Sequence, residues 1–137
     1  MRSLSHYRVP GLLRVFDDLN HELQNGNGNV YIPDVQIEKN DTTYRVTAAL
    51  PGVAKEAVNV EVENGQVKIS GTYPEVAESD FKTVYTEKQR YTRFERNLRI
   101  DENKFDVEKV DARLENGVLC ITLPLKENLQ PRQIKIN

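Results

Sequence analysis

Between Tyr31 and Pro124 the chain alternates apolar and polar positions with a period of two, the spacing that sends successive side chains to opposite faces of a strand. Val35 and Ile37 alternate with Gln36 and Glu38, and Tyr44, Val46 and Ala48 with Arg45 and Thr47. Val58, Val60 and Val62 alternate with Asn59, Glu61 and Glu63. Val67 and Ile69 follow, then Phe94, Leu98 and Ile100, and finally Leu114 with Val118, Leu119, Ile121 and Leu123. Turn residues separate these runs at Asn40-Asp41, Leu50-Pro51-Gly52, Asn64-Gly65 and Asn116-Gly117. Asn-Gly is a strong hairpin signal, because a type I′ turn needs positive φ at both central positions. Pro124 ends the last strand, having no N–H for the ladder. Short alternating strands with no long helical pattern between them predict an all-β fold, an immunoglobulin-like antiparallel β-sandwich.

Three stretches break this rhythm. In residues 1–29, Leu12, Phe16, Leu19 and Leu23 recur at helical spacing while Leu13 and Val15 widen the apolar face. They predict a short amphipathic helix, followed by an Asn/Gly tract from Asn20 to Asn29 that reads as a flexible hinge. Such a helix packs on its own domain, binds a partner or lies on a membrane. Asp17, Asp18 and Glu22 make the polar face acidic, which argues against the membrane. Residues 72–89 are polar and unpatterned apart from Phe81, Val84 and Tyr85, and a structureless loop of that length usually has a job. The tail from Lys126 ends in Ile134-Lys135-Ile136, whose two isoleucines point the same way on an extended strand and can enter one apolar groove. Nine residues separate Pro124 from Ile134, and extended they reach about 30 Å at roughly 3.3 Å per residue. The layout is an arm at 1–29, a sandwich domain at 30–125 and a C-terminal extension at 126–137.

One residue runs against the strand pattern. Arg96 falls on the apolar parity of the run from Arg90 to Ile100. Burying an unpaired charge is costly, so Arg96 should be paired there; otherwise it is a solvated arginine on an edge strand.

Composition narrows the function classes. The 137 residues make one domain with extensions, and a chain 29% charged and 38% hydrophobic is expected to complete its burial by association. A net charge of −2 gives no footprint for nucleic acid. No apolar run reaches the length of a membrane span and no secretory h-region is present, so a cytoplasmic protein is expected. The one cysteine, Cys120, fits a reducing compartment and reads as an inert structural thiol. No catalytic constellation, metal site or cofactor is read from the chain: His6 and His21 lie in the arm without ligand spacing, and there is no phosphate-binding glycine loop.

The thirteen residues from Ala112 to Pro124, Ala-Arg-Leu-Glu-Asn-Gly-Val-Leu-Cys-Ile-Thr-Leu-Pro, resemble the signature of the alpha-crystallin domain of small heat-shock proteins. Leu50-Pro51-Gly52-Val53, the Asn64-Gly65 hairpin, Phe94-Glu95-Arg96-Asn97-Leu98-Arg99-Ile100 and Ile134-Lys135-Ile136 resemble further motifs of the family in the same order. The chain departs from them at Asp101, where the family usually carries Leu-Pro after the strand. The resemblance, closest to bacterial, plant and archaeal members, implies a dimer in which roughly Asp80–Glu87 pairs with the neighbouring subunit. Phe81, Val84, Tyr85 and Arg96 would lie at that interface. It implies that Ile134 and Ile136 dock on another subunit, in a groove formed by Val58, Val60 and Val62 with Val110, Ala112 and Leu114.

The function so implied is an ATP-independent holdase chaperone, not an enzyme, that binds partly unfolded proteins and suppresses their aggregation under stress. Client contact falls on Leu12, Leu13, Val15, Phe16, Leu19 and Leu23. The implied partners are other copies of the chain, as strand-exchanged dimers building a large homo-oligomer, unfolded clients, and the ATP-dependent chaperones that receive them. A related CS-domain-like co-chaperone or scaffold module, binding a defined folded partner, is the alternative. The Ile-x-Ile tail and the long exchange loop disfavour it.

Overall fold

The computed structural model describes the backbone of residues 13–15 and residues 29–75, 77–88 and 90–137. Nine strands follow in chain order: β1 Leu13–Val15, β2 Val30–Tyr31, β3 Val35–Lys39, β4 Thr43–Ala49, β5 Val58–Glu63, β6 Gln66–Thr72, β7 Arg93–Ile100, β8 Asp111–Glu115 and β9 Val118–Pro124. One sheet runs β5-β6-β7, with β1 and β2 sharing the far edge of β7; the other runs β3-β4-β9-β8. The ladders are antiparallel except that of β2 on β7. The antiparallel sandwich read from the alternation is therefore the fold of the chain.

The predicted turns explain how the strands reverse. At both hairpins Asn and Gly take positive φ, 52° and 73° at Asn64-Gly65 and 52° and 76° at Asn116-Gly117, as a type I′ turn demands. Asn40 Oδ1 accepts the N–H groups of Thr42 and Thr43 at 2.9 and 2.8 Å, which closes the β3–β4 turn. At the next corner Pro51 and Gly52, at φ 78°, build a turn in which the Val53 N–H reaches the Leu50 carbonyl at 3.3 Å. The Leu50 N–H also donates to the Gly117 carbonyl at 2.7 Å. The corner after β4 and the tip of the β8–β9 hairpin are thus one joint.

The core holds the inward set of β4, β6, β7 and β9: Val46, Val67, Ile69, Phe94, Leu98, Ile121 and Leu123 are fully buried. Phe105, outside any predicted run, is buried with them. It packs edge-on against Tyr44 at 5.4 Å and bridges to Leu125 across the backbone. Asp101 replaces the expected Leu-Pro by closing the loop itself, its Oδ1 accepting from the Asn103 N–H at 3.1 Å and its carbonyl from Lys104 at 3.0 Å.

The arm departs from its predicted form. Leu13–Val15 is a strand, paired with Leu98–Ile100 in the register Leu13↔Ile100, Arg14↔Arg99, Val15↔Leu98. A short helix on its own is marginal, whereas the open edge of β7 supplies ladder bonds that override helical spacing. Leu12, Phe16, Leu19 and Leu23 lie outside the described residues.

Of the described glycines, Gly71 in β6 leaves the least room for a side chain. A Cβ there would sit 2.1 Å from the Ala57 carbonyl oxygen and 2.3 Å from Phe94 Cζ. We expect Gly71→Ala to cost about 1–3 kcal/mol, the usual penalty for overpacking a core. Urea unfolding at fixed protomer concentration measures it, and an unchanged midpoint would show that the strand yields freely.

Candidate functional site

The outermost strands among the described residues are β5 and, across β7, the short β1 and β2 in one sheet, and β3 and β8 in the other. Their arrangement follows from connectivity. Only Ile32-Pro33-Asp34 joins β2, on the β7 edge, to β3, so those two edges lie on the same side of the molecule. The opposite edges, β5 and β8, therefore flank the other side together. Val58, Val60 and Val62 of β5 are half-buried and pack against the core, as do Val110 and Leu114; Ala112 is exposed. Val58, Val60, Val62, Val110 and Leu114 thus keep half-covered apolar side chains on the edge strand β5 and at the β8 edge.

The interface candidates are among the most exposed apolar groups described. Phe81, Val84 and Tyr85 are 93, 98 and 78% exposed, on a stretch with no regular structure. Its hydrogen bonds are local, such as the Phe81 N–H to Ser79 Oγ at 3.0 Å and Tyr85 to Glu87 at 2.9 Å. Ile134 and Ile136 are equally bare, at 86 and 94%. Leaving such side chains in water forgoes the free energy that their burial would supply.

Arg96 has the opposite setting. It is 4% exposed, opposite Ile69 on β6 and on the core parity of β7. The solvated-arginine reading is therefore overturned, since β7 is an interior strand flanked by β6 and by β1 and β2. Glu95, on the outer face, instead bridges Lys68 and Arg93 at 3.3 and 3.2 Å.

Two positioning features escaped the sequence pattern. Residues 74–91 spring from a closed neck, in which the Tyr73 N–H donates to the Thr92 carbonyl at 3.0 Å and the Thr92 N–H to that of Asn29 at 2.9 Å. Tyr31, Tyr73 and Tyr91 cluster around this neck with ring centroids 5.1–6.2 Å apart, and Tyr73 meets Phe94 edge-on at 5.6 Å. The tyrosines stand far apart in sequence, and only their shared position beside strand ends hinted at a cluster. Beside it a cleft of about 730 Å³ opens toward Pro51 and Gly52.

The second feature is the root of the tail. The Lys126 N–H donates to the Lys104 carbonyl at 3.0 Å, a short 3-10 turn spans Glu127–Leu129, and Gln130 Nε2 returns to the Leu125 carbonyl at 3.0 Å. The freely extended reach begins at Gln130, not Pro124. Ile134 lies four residues farther on and Ile136 six, about 13 and 20 Å at roughly 3.3 Å per residue. The 30 Å span read from the sequence is corrected accordingly.

Among the described residues no group of three or more His, Cys, Asp and Glu is placed to hold a metal ion, and no helix is long and apolar enough to cross a membrane. Cys120 is half-buried between Thr47 and Arg113 on the neighbouring strands. Among the described residues the arrangement presents open strand edges and exposed apolar side chains on segments without regular structure.

Open strand edges and exposed apolar segments are surfaces for binding rather than for catalysis of a defined kind, and comparison with known proteins gives the family. Residues 36–137 match the Hsp20/alpha crystallin family. The chain is 28% identical over 127 residues to small heat shock protein C2 of Rickettsia felis, covering 89% of this chain and 82% of that protein. It is 42% identical over 91 residues to an 18.3 kDa class I heat shock protein of Oxybasis rubra, covering 66% of this chain and 56% of the relative. Heat shock protein 16.0 of Schizosaccharomyces pombe superposes with a TM-score of 0.64 at 31% identity, over 78% of this chain and 99% of that one. The chain belongs to the Hsp20/alpha crystallin family, as a small heat-shock protein with an alpha-crystallin domain.

The neck gives a pH prediction. Burial, then the neighbouring phenols of Tyr31 and Tyr91, push the Tyr73 pKa from 10.0 up to about 12. Burial, then Asp34 and Tyr91, push Tyr31 in the same direction. Between these values the unfolded chain binds fewer protons than the folded one, so the stability present below pH 10 is lost as pH rises toward 12. Melting temperatures across that window should fall in the wild type and fall less steeply in Tyr73→Phe; equal slopes would remove Tyr73 as the cause.

Proposed function

We propose that this protein is an ATP-independent holdase that keeps partly unfolded proteins soluble under stress and passes them to ATP-dependent chaperones in the cytoplasm. The observation that carries the reading is the near-complete exposure of Phe81, Val84, Tyr85, Ile134 and Ile136 on two tethers beside a well-packed sandwich. Family membership supports it, since small heat-shock proteins act as chaperones without ATP.

In this reading residues 80–87 leave the aromatic neck and add a strand to the open β3 edge of a second subunit, burying Phe81, Val84 and Tyr85. Arg96 belongs to the same interface, as the buried anchor of a strand behind it. Ile134 and Ile136 enter the groove between β5 and β8 of a further subunit, so dimers join into a larger homo-oligomer. The sandwich domain at 30–125 is the scaffold, and the segments at 1–29 and 126–137 are the detachable parts. Clients meet Leu12, Leu13, Val15, Phe16, Leu19 and Leu23, and the Val58–Val62 rim once the isoleucines leave it.

Without nucleotide, the full chain should suppress light scattering by a heat-denatured enzyme. Deleting residues 1–29 should cut that protection several-fold while the sandwich still melts cooperatively. A chain that protects nothing, or only with ATP, would sink the holdase reading. Separately, Ile134→Ala with Ile136→Ala should lower the native mass by light scattering to dimers or other small units. A mass equal to the wild type would remove the tail from assembly.

A further inference from the structure

The tail is basic, and the strand it is proposed to meet is acidic. β5 holds Glu61 and Glu63, both exposed, and no cation. Glu61 accepts from Asn59 Nδ2 at 2.8 Å, and neither carboxylate is in an ion pair among the described residues. Lys68, directly across the ladder from Glu61, bridges instead to Glu95 on β7 at 3.3 Å. The segment 126–137 carries Lys126, Arg132 and Lys135 against Glu127. Lys135 stands exposed between the two bare isoleucines, also outside any ion pair among the described residues.

Parity then limits the register. Side chains alternate along an extended segment, so isoleucines laid beside Val58, Val60 and Val62 put Lys135 on the outward parity. On β5 that parity holds Asn59, Glu61 and Glu63, which leaves three registers. Opposite Asn59, Lys135 has no carboxylate directly across from it. Opposite Glu63, one isoleucine falls beside Asn64 in the exposed turn. Opposite Glu61, both isoleucines lie beside valines, Val60 and Val62, and the cation faces a carboxylate with Glu63 two residues along. The match is the same whichever way the tail runs, because Lys135 is the midpoint of the motif.

We propose that Glu61 is the specificity determinant of the tail site: it pairs with Lys135 of a second copy of this chain and so seats Ile134 and Ile136 beside Val60 and Val62. The inference rests on the tail docking proposed above and adds its register and its selectivity. One exposed charge pair is weak, but it works as a filter, since a segment with an acidic residue between its two apolar ones meets repulsion at Glu61. The same pair recurs at each tail contact of an assembly, which multiplies its weight.

The test uses the full chain, with native mass by light scattering over a dilution series to find the concentration at which half the assembly has come apart. Glu61→Lys and Lys135→Glu each set like charges across the contact and should raise that concentration roughly two- to fivefold, the worth of one cross-strand pair. The double variant restores the attraction with the charges exchanged and should return to within about twofold of the wild type. Both positions are exposed, so urea unfolding of the sandwich should not change. A water-soluble carbodiimide reads the register in the wild type, because it joins a carboxylate to an amine in contact with it. The Glu61–Lys135 amide forms as the carbodiimide takes up the lost water and becomes a urea. In assemblies mixed from isotope-labelled and unlabelled chains, the joined peptide should combine both labels.

Single variants that weaken assembly with no recovery in the double variant overturn the proposal. So do wild-type dissociation in all three variants, a Lys135 amide to other carboxylates in place of Glu61, and a joined peptide confined to one chain. The chain carrying Ile134→Ala and Ile136→Ala separates the two readings. Unchanged mass there removes tail docking and the pairing with it, whereas small units there and no effect of the charges remove the pairing alone.

Discussion

An open β-sandwich cannot satisfy the backbone of its edge strands by itself. Each outermost strand leaves N–H and C=O groups facing outward, and an uncovered edge is a template for aggregation. β1 and β2 cover parts of the far side of β7, while β3, β5 and β8 are outermost in the described residues. The core supplies rigidity, but the edges decide what the molecule can bind.

How far the fold was legible depended on what each residue answers to. Asn64-Gly65 and Asn116-Gly117 answer to local backbone geometry, and both hairpins formed as read. The alternation in β4, β6, β7 and β9 answers to one buried face, so those strands could be read directly. Leu13–Val15 answers to a strand more than eighty residues away, and no local pattern announces that ladder. Phe105 was missed for a similar reason: its partners, Tyr44 and Leu125, come from distant strands and its own neighbours have no period. Leu50–Val53 and Asn116-Gly117 read as separate motifs, but the bond from the Leu50 N–H to the Gly117 carbonyl makes them halves of one contact.

The candidate surfaces were legible in their apolar content and less so in their mounting. Phe81, Val84 and Tyr85 stood out as the apolar residues of a polar stretch, and their exposure fits that reading. The tyrosine neck that aims the stretch could not be read, because ring contacts among Tyr31, Tyr73 and Tyr91 exist only once β2, β6 and β7 are assembled. Arg96 shows the reverse case: its parity alone indicated burial, and the interior position of β7 explains why.

The folded root of the tail bears on the curvature of any assembly the tails build. A freely jointed link transmits affinity but no direction. Here the Lys126 bond to Lys104 and the Gln130 bond to Leu125 fix the bearing on which the chain departs. In a head-to-tail contact that bearing sets the rotation between donor and acceptor, and the rotation decides whether successive units close on themselves or run on as a filament. Under the proposed tail docking, substitutions at Gln130 would alter the angle between subunits, whereas substitutions at Ile134 and Ile136 would alter how tightly they are held. Size and cohesion would then evolve on separate residues within one short segment.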